Sequence, residues 1–411
     1  MPAGDASVRL VRIIAAALLG LFSQCAGCAH TFVCDVFSSA RASERIVREN
    51  IADKVFDVES GTSGLIAVVG FDDHANRILE RRLENESDPA PRPLAVIQMR
   101  QIEGEGLTSV NGEVWYSAAG NYGGKWGAVF LNASRAESPA FLELPLAGAV
   151  RWLPLGGARA AGLYLSDDSS SCDVRLVTPN GVVRTWQIPH RLATARALAS
   201  AALSENAVVL AFVPDDRDAA APAVIVTVLE VQADQPAPIG RRIARANVSR
   251  LALATQLDGT IGVLLQSGST GLEFAQLSTS GALVMRSLTP EADATQAPVL
   301  AAGEHGGFIA AWYVRDGTDT IVTHSIPKSS LASLRAIPIG RGRRTNDNSL
   351  ALRIVRNDSG VSGVWIRDAS IVSRPLFTGF EAVEILRPEI DRFCSHGKDD
   401  LLTLIMKAWV R

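Results

Sequence analysis

One apolar motif recurs along this chain at a nearly constant interval. Its clearest copy is Phe308 to Thr318, FIAAWYVRDGT, an apolar run that ends in aromatic residues and breaks at Asp and Gly. Such a run reads as a buried strand entering a hairpin turn. Related copies are VVLAFVPDD at 208–216, GLYLSDD at 162–168 and VSGVWIRD at 361–368, with weaker ones at 113–120, 261–268 and 404–411. Taking Tyr116, Tyr164, Phe212, Leu264, Trp312, Trp365 and Trp409 as equivalent positions, the intervals are 48, 48, 52, 48, 53 and 44 residues. A unit of this kind cannot bury both faces of its own strands, so neighbouring units must stack on one another.

A step of about 48 residues, with four short strands per step, resembles the repeat of β-propellers. The resemblance implies an all-β chain: a single seven-bladed β-propeller of four-stranded antiparallel blades. Six units lie whole between about Pro93 and Leu386. Gly64 to Glu84 reads as the outer half of a seventh, and Pro388 to Arg411 as its inner half. The last blade is therefore expected to be closed by N- and C-terminal strands, with Leu401 to Trp409 beside Gly64 to Phe71. Larger aromatics on each second strand are expected between blades, and small residues, as in LALATQL at 251–257, nearest the axis.

The N-terminus reads as a targeting segment. Arg9 and Arg12 precede an apolar run from Ile13 to Phe22, shorter than the roughly 20 residues a membrane span requires. Ala26-Gly27-Cys28 resembles the end of a bacterial lipobox, although Cys25 stands where Leu is usual. The resemblance implies cleavage before Cys28, lipidation of Cys28 and a place in the bacterial cell envelope; ordinary signal-peptidase cleavage, with release outside the cell, is the alternative. The expected organisation is a signal peptide over 1–27, an arm over 28–60 carrying a short helix near Ser43 to Val58, and the propeller over 61–411. Cys34, Cys172 and Cys394 would remain after cleavage, an odd number that permits one disulfide.

Chemistry-bearing patterns are sparse. No nucleotide-binding glycine fingerprint, nucleophile elbow or His-Glu-x-x-His helix occurs. No two of the six histidines stand at metal-ligand spacing, so neither a metal nor another cofactor is expected. With a net charge of −3 the chain has no global attraction for nucleic acid. Two loop groups do stand out. One is acidic, with Asp167, Asp168, Asp215, Asp216, Asp316 and Asp368 following second strands. The other holds Arg241 and Arg242 in PIGRR, and Arg341, Arg343 and Arg344 in PIGRGRR, two related copies 100 residues apart. In an up-and-down blade the loop from strand two to three and the connection from strand four onward share one rim, which predicts a face of alternating Asp and Arg. The expected function is non-catalytic binding or scaffolding at the envelope, with a protein or glycan on that face and membrane contact through the lipid alone. The alternative is a secreted glycan hydrolase or lyase with its site at the mouth of the central channel.

Overall fold

A computed structural model of the chain describes residues 45–48, 55–61, 65–71, 76–83, 92–135, 137–144, 151–165, 171–188, 195, 197–214, 223–232, 241–268, 271–293, 295–303, 306–315, 319–326, 336–343, 350, 352–357, 360–368 and 370–376. Their strands form seven four-stranded antiparallel sheets. The first sheet is β2 (Val55–Ser60), β3 (Leu65–Phe71), β4 (Arg77–Leu83) and β5 (Arg92–Ile97), and the second is β6 (Met99–Val110), β7 (Glu113–Tyr122), β8 (Lys125–Asn132) and β9 (Ala140–Glu143). The third is β10 (Arg151–Pro154), β11 (Ala160–Leu165), β12 (Cys172–Thr178) and β13 (Gly181–Ile188); the fourth is β14 (Leu198–Ser204), β15 (Ala207–Phe212), β16 (Ala223–Glu230) and β17 (Arg241–Ala244). The fifth is β18 (Val248–Thr255), β19 (Ile261–Ser267), β20 (Gly271–Leu277) and β21 (Leu283–Thr289); the sixth is β22 (Val299–Ala302), β23 (Phe308–Tyr313), β24 (Thr320–Ile326) and β25 (Ile337–Arg341). Six sheets thus use four consecutive strands. The remaining one joins β26 (Leu352–Asn357), β27 (Gly360–Arg367) and β28 (Ser370–Leu376) to β1 (Arg45–Arg48) from near the other end of the chain.

Alternation explains how the sheets stack. Successive side chains on a strand point to opposite faces, so a second strand with a sheet on either side must be apolar at every position. On β23, Phe308, Ala310 and Trp312 pack toward the fifth sheet, while Ile309, Ala311 and Tyr313 pack toward the last. β15 divides in the same way between the third and fifth sheets. Each neighbouring pair of sheets shares such an apolar cluster, and Val55 and Val58 of the first sheet share one with Val355, Val364 and Ile371 of the last. This is the arrangement of an all-β propeller with four-stranded antiparallel blades.

Hydrogen bonds between neighbouring sheets repeat at nearly the sequence period. Arg151 on β10 donates to the Ala195 carbonyl and Arg250 on β18 to the Thr295 carbonyl, in both cases to the connection entering the next sheet. The Trp186 indole likewise donates to the Glu230 carbonyl, and Arg374 to the Ile339 carbonyl. These bonds fix the angular step where apolar contact alone would let adjacent sheets slide.

Three expectations are corrected here. Within the expected arm, the helix near Ser43 to Val58 gives way to strands, because Arg45–Arg48 and Val55–Ser60 pair with β28 and β3. The inner partner of β3 is therefore β2, immediately before it, and not a C-terminal segment. Closure by terminal strands does occur, but in the other sheet, with Arg45 opposite Ser373 and Ile46 opposite Val372. Leu401 to Trp409, the strand assigned that role from sequence, lies outside the described residues. Finally, Leu94 to Gln101, read as one strand, is two: β5 ends the first sheet and β6 begins the second, with only Gln98 between them.

Candidate functional site

Where strand one begins, the turn from strand two to three and the exit of strand four lie at the same end of each sheet. In the sixth sheet this rim is well defined. Arg341, which ends β25, pairs with Thr320, the first residue of β24, and the Gly342 N–H donates to the Asp319 carbonyl at 3.0 Å. The Arg343 N–H donates to Ile366 in the next sheet at 2.7 Å. The carbonyls of Arg341 and Arg343 accept from the Trp365 indole at 2.9 Å and the Tyr313 hydroxyl at 3.0 Å. Two buried aromatics thus hold the backbone of a segment whose arginine side chains are exposed. Gly342 permits the close approach, since a Cβ there would stand 2.5 Å from the Tyr313 hydroxyl. Asp368 occupies the neighbouring β27–β28 turn with φ 54°, and Asp319 has φ 56°, a left-handed conformation that Asp tolerates better than most residues.

The two arginine copies do not share this rim. Arg241 and Arg242 lie within β17, opposite Val226 and Ile225, and the Arg241 guanidinium lies against Gly281 in the turn from strand three to four of the next sheet. That turn is at the opposite end. Arg241 begins a strand in one sheet whereas its sequence counterpart Arg341 ends a strand in the other, which the sequence likeness conceals. Asp167, Asp168, Asp215, Asp216, Asp316, Arg344 and Cys28 lie outside the described residues.

A second polar group, not anticipated from the sequence, sits on the inner strands where the first and last sheets meet. Asp57 on β2 is buried. Its Oδ1 accepts from the Val58 N–H at 2.9 Å and from Arg353 Nε on β26 at 2.7 Å, and its Oδ2 accepts from the Leu107 N–H on β6 at 2.9 Å. One carboxylate therefore ties three inner strands together. Beside it, Glu105 accepts from Arg77 at 2.6 to 2.8 Å and from the Tyr116 hydroxyl at 2.7 Å, and burial together with the Glu105 charge raises the Tyr116 hydroxyl well above its usual range. Glu59 follows Asp57 by two residues on the same face of β2 and accepts from the Ser60 N–H at 2.9 Å. Glu59 is half-buried, and loss of hydration is the main cause that pushes its carboxyl up to about 8; the Ser60 bond, Arg353 and Ser109 oppose the shift, and the Asp57 charge adds to it. Arg353 is held charged more firmly than usual by Asp57.

This cluster left a faint trace in the sequence. VFDVES and LRIVRN place Asp, Glu and Arg inside apolar strand runs, and a charge in such a run must find a partner. Elsewhere among the described residues, His324 is buried in β24 and lowered to about 4 by desolvation and by the Arg286 charge, so it is neutral near pH 7. Cys172 is a buried free thiol.

The sequence matches no family model, and no curated protein resembles it significantly. Solved structures with a related backbone include a chain of hydrazine synthase from Kuenenia stuttgartiensis, with TM-score 0.49 and 10% identity over 80% of this chain and 97% of that one. The β-propeller domain of the Trilobed protease from Pyrococcus furiosus, described as having an open velcro topology, gives TM-score 0.47 and 10% identity over 78% of this chain and 96% of that one. The Aleuria aurantia lectin, solved with α-methyl-L-fucoside, gives 0.40 and 10% over 69% and 99%. Likeness at this level carries no argument about ligand or activity.

Proposed function

We propose that this chain is a non-catalytic binding propeller of seven blades, held at a bacterial cell envelope by lipid on Cys28, and that it presents its Asp/Arg rim to a protein or glycan. The observation that carries the reading is the rim of the sixth sheet. Arg341 and Arg343 are exposed, while their main chain is pinned by Trp365, Tyr313 and Ile366, beside the turns of Asp319 and Asp368. Charged side chains on a fixed frame bind with little ordering cost. Guanidinium groups suit carboxylate or phosphate on the partner, and Asp suits hydroxyl or ammonium groups.

Among the described residues the inner-strand carboxylates Asp57 and Glu105 do not offer the pair of free carboxyl groups with which most glycoside hydrolases work, since Asp57 accepts from three donors and Glu105 from Arg77 and Tyr116. The purified protein, screened against envelope glycans, is expected to bind without releasing products and to lose that binding on Arg341→Glu with Arg343→Glu. Cleaved glycan in the wild-type reaction, abolished by Glu59→Gln, would replace this reading with the enzyme. Unchanged binding by the charge-reversed protein would remove the rim from it. Mass spectrometry of membrane-extracted protein checks the anchor, with a diacylated Cys28 expected and an unmodified mature terminus refuting it.

A further inference from the structure

The junction between the first and last sheets differs from its counterparts. Its apolar cluster, among the described residues, is seven aliphatic side chains, Val55, Val58, Leu350, Val355, Val364, Ile366 and Ile371, and like the cluster between the fourth and fifth sheets it has no aromatic; the difference lies in the polar contact beside it. At two other junctions an inner-strand arginine, Arg151 or Arg250, clamps a backbone carbonyl of the connection entering the next sheet. At this junction Arg353 grips the side chain of Asp57 instead, across 296 residues of sequence. A carbonyl acceptor cannot change charge, but a carboxylate with a second carboxyl beside it forms a group whose total charge depends on protons.

Asp57 and Glu59 stand two residues apart in a regular stretch of β2, opposite Val69 and Ala67, and so share one face; the Arg353 guanidinium bonds Asp57 and attracts Glu59 only at longer range. The groups facing them are Arg353 from β26, Ser109 from β6 and Ser60 from their own strand, with Glu105, Arg77 and Tyr116 forming a separately compensated set next to Asp57. Two carboxylates facing one cation in a partly dehydrated wall repel, and the conflict is relieved if one of them carries a proton.

We propose that this junction is a proton-operated latch: with Glu59 protonated the first and last sheets are held together, and with Glu59 ionised their inner strands separate more readily. The sign follows from linkage. The carboxyl of Glu59 holds its proton up to about 8 in the folded chain, against an ordinary value of 4.5. Between these values the folded state binds a proton that the opened state releases, so stability is greatest at the acid end and falls as pH rises. Whatever the ring binds, a closed junction is favoured in acidic surroundings.

Hydrogen exchange on the full chain tests this, comparing β2 and β26 with the fully buried β15 after correction for the intrinsic pH dependence of exchange. In the wild type, opening of β2 and β26 relative to β15 should rise by up to about tenfold per pH unit between about pH 5 and pH 8. Glu59→Gln keeps the shape and the neutral charge, and should flatten that rise while retaining the protection seen at low pH. A flat wild-type profile, or a Gln variant with the wild-type slope, would overturn the latch. Should the variant fail to fold, the infrared carbonyl band of protonated, isotope-labelled glutamate in the wild type serves in its place. Its persistence at neutral pH and loss in step with the exchange of β2 supports the proposal, and its loss before that exchange changes overturns it.

Discussion

Replacing Asp57 by Ala removes one acceptor from three donors, and the cost can be built from each. The buried Leu107 N–H loses its partner at 2.9 Å, which costs about 1 to 3 kcal/mol in an apolar surrounding. The Arg353 pair contributes less than a fully buried bridge, whose rupture costs about 3 to 5 kcal/mol. Its guanidinium side chain is 46% exposed and recovers water once released, so a value near about 1 kcal/mol is the better guide. Against these losses, removing the Asp57 charge relieves Glu59, which can then ionise and turn to Arg353. The lost Val58 N–H bond roughly offsets that relief, so the net expectation is a loss of about 2 to 4 kcal/mol for Asp57→Ala, and roughly half of that for Asp57→Asn, whose oxygen still accepts from one N–H. Urea unfolding followed by tryptophan fluorescence measures this as a shift in midpoint at unchanged slope. With Arg353→Met it completes a double-mutant cycle, for which a coupling of about 1 kcal/mol is expected. A loss below about 0.5 kcal/mol for Asp57→Ala would refute the reasoning, because it would mean that the Leu107 N–H finds water and the carboxylate is not a junction element.

Trp312, 2% exposed and surrounded by Phe274, Phe308 and Val322, should cost about 3 to 5 kcal/mol when cut to Ala, measured in the same urea assay. Gly271 has φ 74°, and a Cβ there would stand 2.1 Å from the Thr289 carbonyl oxygen, so Gly271→Ala should lose more than about 1 kcal/mol through strain at both. Deleting residues 1–48 removes β1 and leaves β28 as an open edge, and light scattering should show aggregation. A monomeric, cooperatively unfolding product would show that β1 is dispensable.

What the sequence made legible was whatever repeats. Tyr116, Tyr164, Phe212, Leu264, Trp312 and Trp365 all fall on second strands and are all buried, because the one strand covered on both faces must be apolar throughout and so stands out against its neighbours. The Asp-rich turns follow from the chemistry of hairpins, and Asp368 sits in one. The first strands were harder to read. β2 carries Asp57 and Glu59 within a short run, and its apolar residues also fit a helical period, so Ser43 to Val58 suggested a helix where two strands stand. Local pattern cannot separate the two when the deciding partners, Leu107 and Arg353, lie 50 and 296 residues away. PIGRR and PIGRGRR failed differently: Arg241 begins a strand in one sheet and Arg341 ends a strand in another, so likeness of sequence did not mean likeness of place.

The charges at the junction can be weighed against the task of closing a ring. Neighbouring sheets elsewhere join segments about one repeat apart, whereas Asp57 and Arg353 are separated by 296 residues. The extra loop-closure cost grows only with the logarithm of length, about 1.6 kcal/mol for this sixfold difference. That is within reach of one buried carboxylate that satisfies an N–H on β6 and a guanidinium on β26. The same residue that makes the closure specific also makes it conditional, since an aliphatic side chain at position 57 would pack but could neither select its partner strands nor respond to a proton on Glu59. Where burial is aliphatic and the partners are distant in sequence, a polar group that tolerates only one register removes the misaligned closures that apolar contact alone would permit.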